Sequence, residues 1–320
     1  MEEKLTDPIY SETAYDDAFR SMEGRCDDIL IPFVGHMFGI RYGEGAKIKR
    51  LRNEQFIEKK DEADEKRITD SSFEITDKNV TKRFHLECES KKYDGTILVR
   101  VFEYDAQIAR NNGKSSINRV RFKFPNSGIL LLRSSGKAPE VAKIELEMPD
   151  EKVISYDVPI MKMSDYDIDD IFRDKLFMLI PFYIFNYERQ LPEMNLSEDK
   201  LDKLIEKYSY IFGRLEKEQK SGNLSALSTS AIIKLTYSVA YKLTMNQKKV
   251  QRKVGDYMGG KVLDLPEFRI YDQGKEDGII VGRAEGEQER KALQQEKSAL
   301  QQENERLKKE LEKLKANMTN

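Results

Sequence analysis

Asp70, Glu87, Glu89 and Lys91 are the residues of this chain whose types and spacing could do chemistry together. From Phe84 to Lys91 apolar and polar positions alternate. Phe84, Leu86 and Cys88 point one way, and His85, Glu87, Glu89 and Lys91 the other, as a half-buried strand requires. In the preceding segment Phe73 and Ile75 form the apolar parity, while Asp70, Ser72 and Glu74 share the opposite one. Pairing of the two segments across a turn near Asp77 to Val80 would set Asp70 beside Glu87 and Glu89, since directly opposed side chains lie roughly 5 Å apart. Converging carboxylates repel one another and need a cation, a shared proton or bulk water. Hard oxygen ligands of this kind suit Mg²⁺, with Mn²⁺ able to stand in. An ion so placed activates water and offsets the charge that develops on a phosphodiester.

The order Asp70, then a strand carrying Glu87-x-Glu89, resembles the PD-(D/E)XK nuclease core. More narrowly, YDDAFR at Tyr15, NEQF at Asn53, RITDSSF at Arg67, FHLECES at Phe84, VRVFEYDAQIA at Val99 and LIPFYIFNYERQLP at Leu179 resemble the recombination-promoting nuclease (Rpn) group, the transposase-like branch of that superfamily. The resemblance implies Asp70 and Glu87 as metal ligands, and a metal-dependent DNA endonuclease of the bacterial cytoplasm tied to DNA breakage and recombination. Glu89 stands where the group usually has Gln and the wider superfamily Lys. A third carboxylate strengthens cation binding but brings no amide and no positive charge to orient water. Lys91, one pleat further on and roughly 7 Å away, is the residue that could reach back. Two readings therefore stay open: a Mg²⁺-dependent DNA endonuclease, and a catalytically degenerate nuclease fold serving as a dimeric DNA- or partner-binding protein.

The elements that must position these residues follow from the pattern. The expected fold class is α+β: a PD-(D/E)XK-like mixed sheet flanked by helices (1–190), a helical extension (191–270) and a C-terminal coiled-coil helix (271–320). Helical spacing over Ser11 to Phe38, broken near Gly24 and at Pro32, predicts one or two entry helices. Lys47 to Ile57 reads as a first strand. A third strand of the acidic stretch is expected before Glu103, after which Glu103 to Asn112 turns helical and stops at Asn111-Asn112-Gly113. Gln107 on that helix is a candidate to face the acidic edge, as helix-borne polar residues do in the superfamily that the chain resembles. Ser127 to Arg133, Val141 to Met148 and Val153 to Met161 continue the strand pattern. One helix bent at Pro181 is expected from Asp167 to Glu188, then helices from Ser197 to Lys220 and Leu224 to Met258.

Charge patterning adds a partner. Lys and Arg (55) nearly balance Asp and Glu (57), so only local clusters can indicate one. Between Ala106 and Pro139 there is no acidic residue, while Arg110, Lys114, Arg119, Arg121, Lys123, Arg133 and Lys137 accumulate. Such a tract suits the phosphate backbone of DNA. Arg119, Arg121 and Lys123 alternate with Val120, Phe122 and Phe124, so the wet side of an ordinary strand explains them equally well. The two cysteines are too few for a disulfide framework or a zinc cage. The longest apolar run, Leu176 to Phe185, is short of the ~20 residues of a membrane span, and no signal-peptide-like run opens the chain, so a cytoplasmic protein without membrane contact is expected. At the other end Leu293, Leu300, Leu307 and Leu314 recur every seven residues, with Asn304 at the other core position and Glu303 and Glu310 set to pair with Lys308 and Lys315 of a second chain. This predicts a homodimer through a parallel coiled coil from Lys291 to Lys315, which would bring two nuclease centres together.

Overall fold

The computed structural model describes residues 14–51, 54–57, 65–68, 71–133 and 138–261, with the backbone alone at 54–57, 65–68 and 259–261. The heptads lie outside the described residues.

Among the described residues ten strands and eight α-helices are laid out in α+β order. A mixed six-stranded sheet has the order β1-β4-β5-β8-β10-β9, formed by β1 (Lys47–Arg50), β4 (Ser71–Asp77), β5 (Val80–Glu89), β8 (Asn126–Leu131), β10 (Val153–Lys162) and β9 (Val141–Glu147). β4 and β5 make an antiparallel hairpin whose turn residues, Lys78 and Asn79, both have positive φ (46° and 64°). Two consecutive left-handed residues match the twist of the flanking strands, and Asn tolerates that conformation better than most residues. β5, β8 and β10 run parallel, and helix α3 (Ile97–Asn111) forms the crossover from β5 to β8.

The sheet is covered on both faces. On one side Ile97 and Val101 of α3 pack on Ile129, Leu131, Val158 and Ile160. On the other lies α2 (Asp27–Met37), which keeps Pro32 inside the helix, with Phe38 just beyond it against Phe84. β5 is therefore buried on both parities from Phe84 to Cys88 and is not the half-exposed strand that its alternation suggests. A strand inside a covered sheet has no wet face.

Four further differences from the sequence pattern have local causes. The third acidic strand does not exist, because Ile97, Val101, Tyr104 and Ile108 lie at helical spacing on one buried face, and Asp94 accepts from the Thr96 amide (2.9 Å) and hydroxyl (2.6 Å) to start α3. The expected first strand is two. β1 joins the main sheet, while β2 (Glu54–Ile57) pairs with β3 (Glu65–Ile68) in a separate two-stranded sheet. The helix expected from Asp167 to Glu188 divides at Lys175 (φ 56°) into α4 (Ile168–Arg173) and a 3-10 helix (Phe177–Gln190) buried throughout Phe177–Phe185. The last predicted helix is also two, α7 (Ala226–Leu243) and α8 (Lys248–Lys261), because Asn195 Oδ1 accepts from the Lys249 amide (2.9 Å) and starts the second.

α1 (Ala14–Glu23) and the 3-10 helix both pack on α7, so the helices beyond residue 190 belong to the same compact unit as the sheet. Among the described residues no helix is long and apolar enough to cross a membrane.

The close approach of α2 to the sheet gives a test. A Cβ at Gly128 in β8 would collide with Met37 Sδ and lie 3.1 Å from Phe38 Cζ. Gly128→Val is expected to lower unfolding free energy by roughly 1–3 kcal/mol in urea denaturation. An unchanged midpoint would mean that the helix does not pack this tightly.

Candidate functional site

The polar residues of β5 face α3, because that parity turns toward the side of the sheet that the crossover helix covers. His85 and Glu87 are almost wholly buried (0% and 2% exposed). Buried polar groups must be paired, and four elements supply the partners. His85 Nδ1 lies 2.8 Å from Asp105 Oδ1 on α3, and His85 Nε2 lies 2.9 Å from Glu87 Oε1. Ser127 of β8 donates to Asp105 Oδ1 (2.6 Å), and Tyr156 of β10 donates to Asp105 Oδ2 (2.9 Å). Tyr104 stands edge-on to the imidazole at 5.8 Å.

Ionised carboxylates only accept hydrogen bonds, so a ring held between two of them must donate from both nitrogens, which makes it imidazolium. Burial by itself pushes the His85 pKa down. The hydrogen bonds to Asp105 and Glu87 and their charges outweigh burial and raise it to about 9. Burial and the Asp105 charge push the Tyr156 phenol far up, so it remains a donor at any ordinary pH.

The second carboxylate oxygen of Glu87 meets a different cation. Arg100 Nη2, at the end of the first turn of α3, is 2.9 Å from Glu87 Oε2 and 3.4 Å from Glu89 Oε2. The two carboxylates thus converge on one positive nitrogen, and the Arg100 side chain is 39% exposed where Glu87 is 2%. From the entry helix α1, Asp16 lies within electrostatic reach of Arg100, Glu89 and Glu87. Burial, opposed by Arg20 and Arg100, raises its pKa. Two turns along the same helix Glu23 is buried, which lifts its pKa to about 7 against the pull of Arg50.

Glu87 and Glu89 are therefore brought together as the sequence pattern suggests. Asp70 lies outside the described residues; its chain neighbour Ser71 opens β4 opposite Leu86. Lys91 does not continue the strand. β5 ends at Glu89, the Ser90 carbonyl accepts from Arg133 Nη1 (2.5 Å), and the Lys91 amide donates to Glu89 Oε1 (2.7 Å) while its side chain is exposed and its charge acts on Asp94. Gln107 stands two turns beyond Arg100, and its amide nitrogen donates to Asn111 (3.5 Å). Arg133 leaves the basic tract, since Nε and Nη2 clasp the Glu188 carboxylate at 2.6–2.9 Å and its guanidinium lies over Phe185. Arg110, Lys114, Arg119, Arg121 and Lys123 are all exposed, and Lys137 lies outside the described residues.

Asp105, Arg100 and Asp16 are the members of the site that strand alternation does not single out; His85 is on the polar parity that alternation gives, but buried. The signal for His85 was its spacing of two from Glu87 on a strand with no wet face. The signal for Arg100 was available only once Ile97 to Phe102 is seen as helix, whereas Asp105 already lay in the helix expected from Glu103 to Asn112.

Searches against family models, curated proteins and solved structures return no match.

The clamp predicts a pH dependence of stability. A histidine whose folded pKa lies above its unfolded value of 6.5 stabilises in full below about 6.5, and that contribution is lost as pH rises through about 9. Glu23 has the opposite ionisation, but its decline runs from about 4.5 to 7 and ends where that of His85 begins. Wild-type melting temperature should fall between pH 7 and pH 9.5, and His85→Gln should remove most of that slope while lowering stability at pH 6.5. A slope that survives the substitution would assign it to other groups.

Proposed function

We propose that this protein is a metal-dependent endonuclease that hydrolyses DNA phosphodiesters at the edge formed by Glu87 and Glu89, in line with the chain's resemblance to PD-(D/E)XK nucleases of the recombination-promoting group. The observation that supports this most is the bridging of both carboxylates by Arg100. Two acidic groups from the exit of one central strand aim at one point, and that point attracts a cation.

Those oxygens fit Mg²⁺ or Mn²⁺, which takes one or two carboxylates, keeps several waters and accepts a phosphate oxygen. Among the described residues no three His, Cys, Asp or Glu side chains close a cage by themselves. Asp70 is the carboxylate that the proposal adds from outside them. A bound divalent ion would supply an activated water and offset charge on the phosphodiester.

The chain's own residues do the rest. His85 fixes Glu87 through Oε1 and leaves Oε2 pointing toward Arg100. Asp105, held by Ser127 and Tyr156, keeps the His85 ring from turning. Arg100 is exposed enough to exchange its carboxylates for a phosphate oxygen, where a guanidinium pairs in bidentate fashion. The exposed cations at Arg110, Lys114, Arg119, Arg121 and Lys123 hold the flanking backbone. A dimer through Lys291 to Lys315 would present two such centres to the two strands.

A second reading rests on the same observation. Arg100 can be a permanent substitute for the ion, in a nuclease-derived fold that binds DNA or a protein partner without cutting.

Nicking of supercoiled plasmid separates the two. With Mg²⁺ or Mn²⁺ the wild type should nick, and Glu87→Gln should reduce the rate by about a hundredfold or more. Absence of nicking in the wild type, with activity gained in Glu89→Lys or Glu89→Gln, would replace the first reading with the second. Removal of Lys291 to Asn320 should spare single-strand nicking and suppress linearisation, and equal loss of both would remove the dimer from the proposal.

A further inference from the structure

Between the end of α3 and the start of β8 the chain makes a separate two-stranded ribbon, β6 (Lys114–Ser116) against β7 (Arg119–Arg121), with Ile117 and Asn118 at the turn. Every residue from Asn111 to Lys123 is exposed. At its base the ribbon is anchored. Phe122 packs over Gly113, where a Cβ would come within 3.0 Å of its ring, and Phe124 stacks on Phe102 (6.4 Å between centroids) and lies 5.7 Å from Tyr156. At its tip Ile117 is wholly exposed (107%), and Val120 is 54% exposed.

The wet-side explanation of the basic alternation does not cover this. In a half-buried strand Val120 would be turned inward, opposite Arg119 and Arg121, and here it faces solvent together with them, as Ile117 at the turn does. Neither cation meets a carboxylate among the described residues, and the whole segment carries no acidic residue of its own. The surface combines positive charge with an apolar tip on an arm that the core does not use.

We infer that this ribbon is a DNA-reading arm that enters the minor groove of a duplex, with Arg119 and Arg121 along the phosphates and groove wall and Ile117 as an apolar wedge against a base step. The inference deepens the proposed function and rests on DNA being its substrate. Three arguments favour duplex DNA over other polyanions. Arginine is drawn into the enhanced negative potential of a narrow minor groove. Exposed apolar side chains on such arms unstack a step and bend the duplex, which brings more backbone to the protein. On its other strand Ser115 and Ser116 keep the ribbon slim. The position also fits. α3 runs from Arg100 at the acidic edge to Asn111 at the root of the ribbon, about 17 Å at 1.5 Å per residue. That length corresponds to about five base pairs at 3.4 Å each, so one duplex can touch both.

The test uses the full-length protein in EDTA, where binding is read without cutting, and a duplex of about 20 base pairs with a central TA step and a dye at each end. Wild type should bind with a salt-dependent affinity and bring the dyes closer. Arg119→Ala/Arg121→Ala should weaken binding at least tenfold and reduce the slope of log K against log salt by about 2. Ile117→Ser should keep the slope and lose the approach of the dyes. Unchanged affinity in the double variant, unchanged bending in Ile117→Ser, or ribbon-dependent binding to phosphatidylserine vesicles in place of the duplex would each overturn the inference. Plasmid nicking run in parallel separates the two proposals. Cutting with ribbon-independent binding leaves the endonuclease and removes the arm, and ribbon-dependent bending without cutting does the reverse.

Discussion

Two carboxylates buried on one face of a sheet need positive charge close by, and His85 supplies it. Asp105 and Glu87 could not both stay ionised at nearly full burial without a donor between them, because the cost of desolvating each charge is several kcal/mol. The imidazolium answers both at 2.8 and 2.9 Å, and Ser127 and Tyr156 take the lone pairs that remain on Asp105. Since these residues come from β5, α3, β8 and β10, the same contacts fix the crossover helix to three parallel strands. A clamp of this kind sets orientation more than it adds net stability, and orientation is what the exit of β5 requires.

The consequence is an asymmetry along β5. Glu87 is locked from behind through one oxygen, while its other oxygen and Glu89 look out toward Arg100. Glu89 is freer, being 13% exposed and, among the described residues, anchored by the Lys91 amide and the longer contact with Arg100. A carboxylate pair with one rigid and one adaptable member suits an ion that enters and leaves, and it also suits a resident guanidinium. Both readings of the function come from this one geometry and differ only in which cation the pair holds during its work.

Much of this was legible in the sequence, for identifiable reasons. The β4–β5 hairpin follows from two alternating runs around Lys78-Asn79, and β8, β9 and β10 stand where their β-branched and aliphatic runs do. The convergence of Glu87 and Glu89 follows from their spacing of two. What alternation could not convey is that β5 is covered on both faces, because burial of the polar parity depends on α3, and α3 begins inside a stretch whose Val99-x-Val101 pattern imitates a strand. Ile97, Val101, Tyr104 and Ile108 decide for the helix only when the window is extended past Asp105. Once the helix begins at Ile97, Arg100 moves from a third strand onto the same helix as Asp105, and the two stand on either side of the His85–Glu87 pair. The misplacement of Lys91 has a simpler origin: periodicity does not say where a strand stops, and here Arg133 draws the Ser90 carbonyl out of the sheet.

The electrostatics of α3 bear on which cation the pair prefers. Arg100 sits at the end of the first turn of a helix with no acidic residue there, so it faces the positive end of the macrodipole and is held in place by Glu87 and Glu89 against it. A divalent ion held by Glu87 and Glu89, as proposed, would weaken that attraction and leave the repulsion. The guanidinium, 39% exposed, would then be drawn toward another anion such as a phosphate oxygen. Ion binding and phosphate binding would in that case favour one another, because the residue displaced by the first is the donor for the second. A permanently resident Arg100 would stay held by Glu87 and Glu89 as it is here. Among the described residues, Asp16 of α1 is a third carboxylate within electrostatic reach of Arg100, and burial raises its pKa against the pull of Arg20 and Arg100.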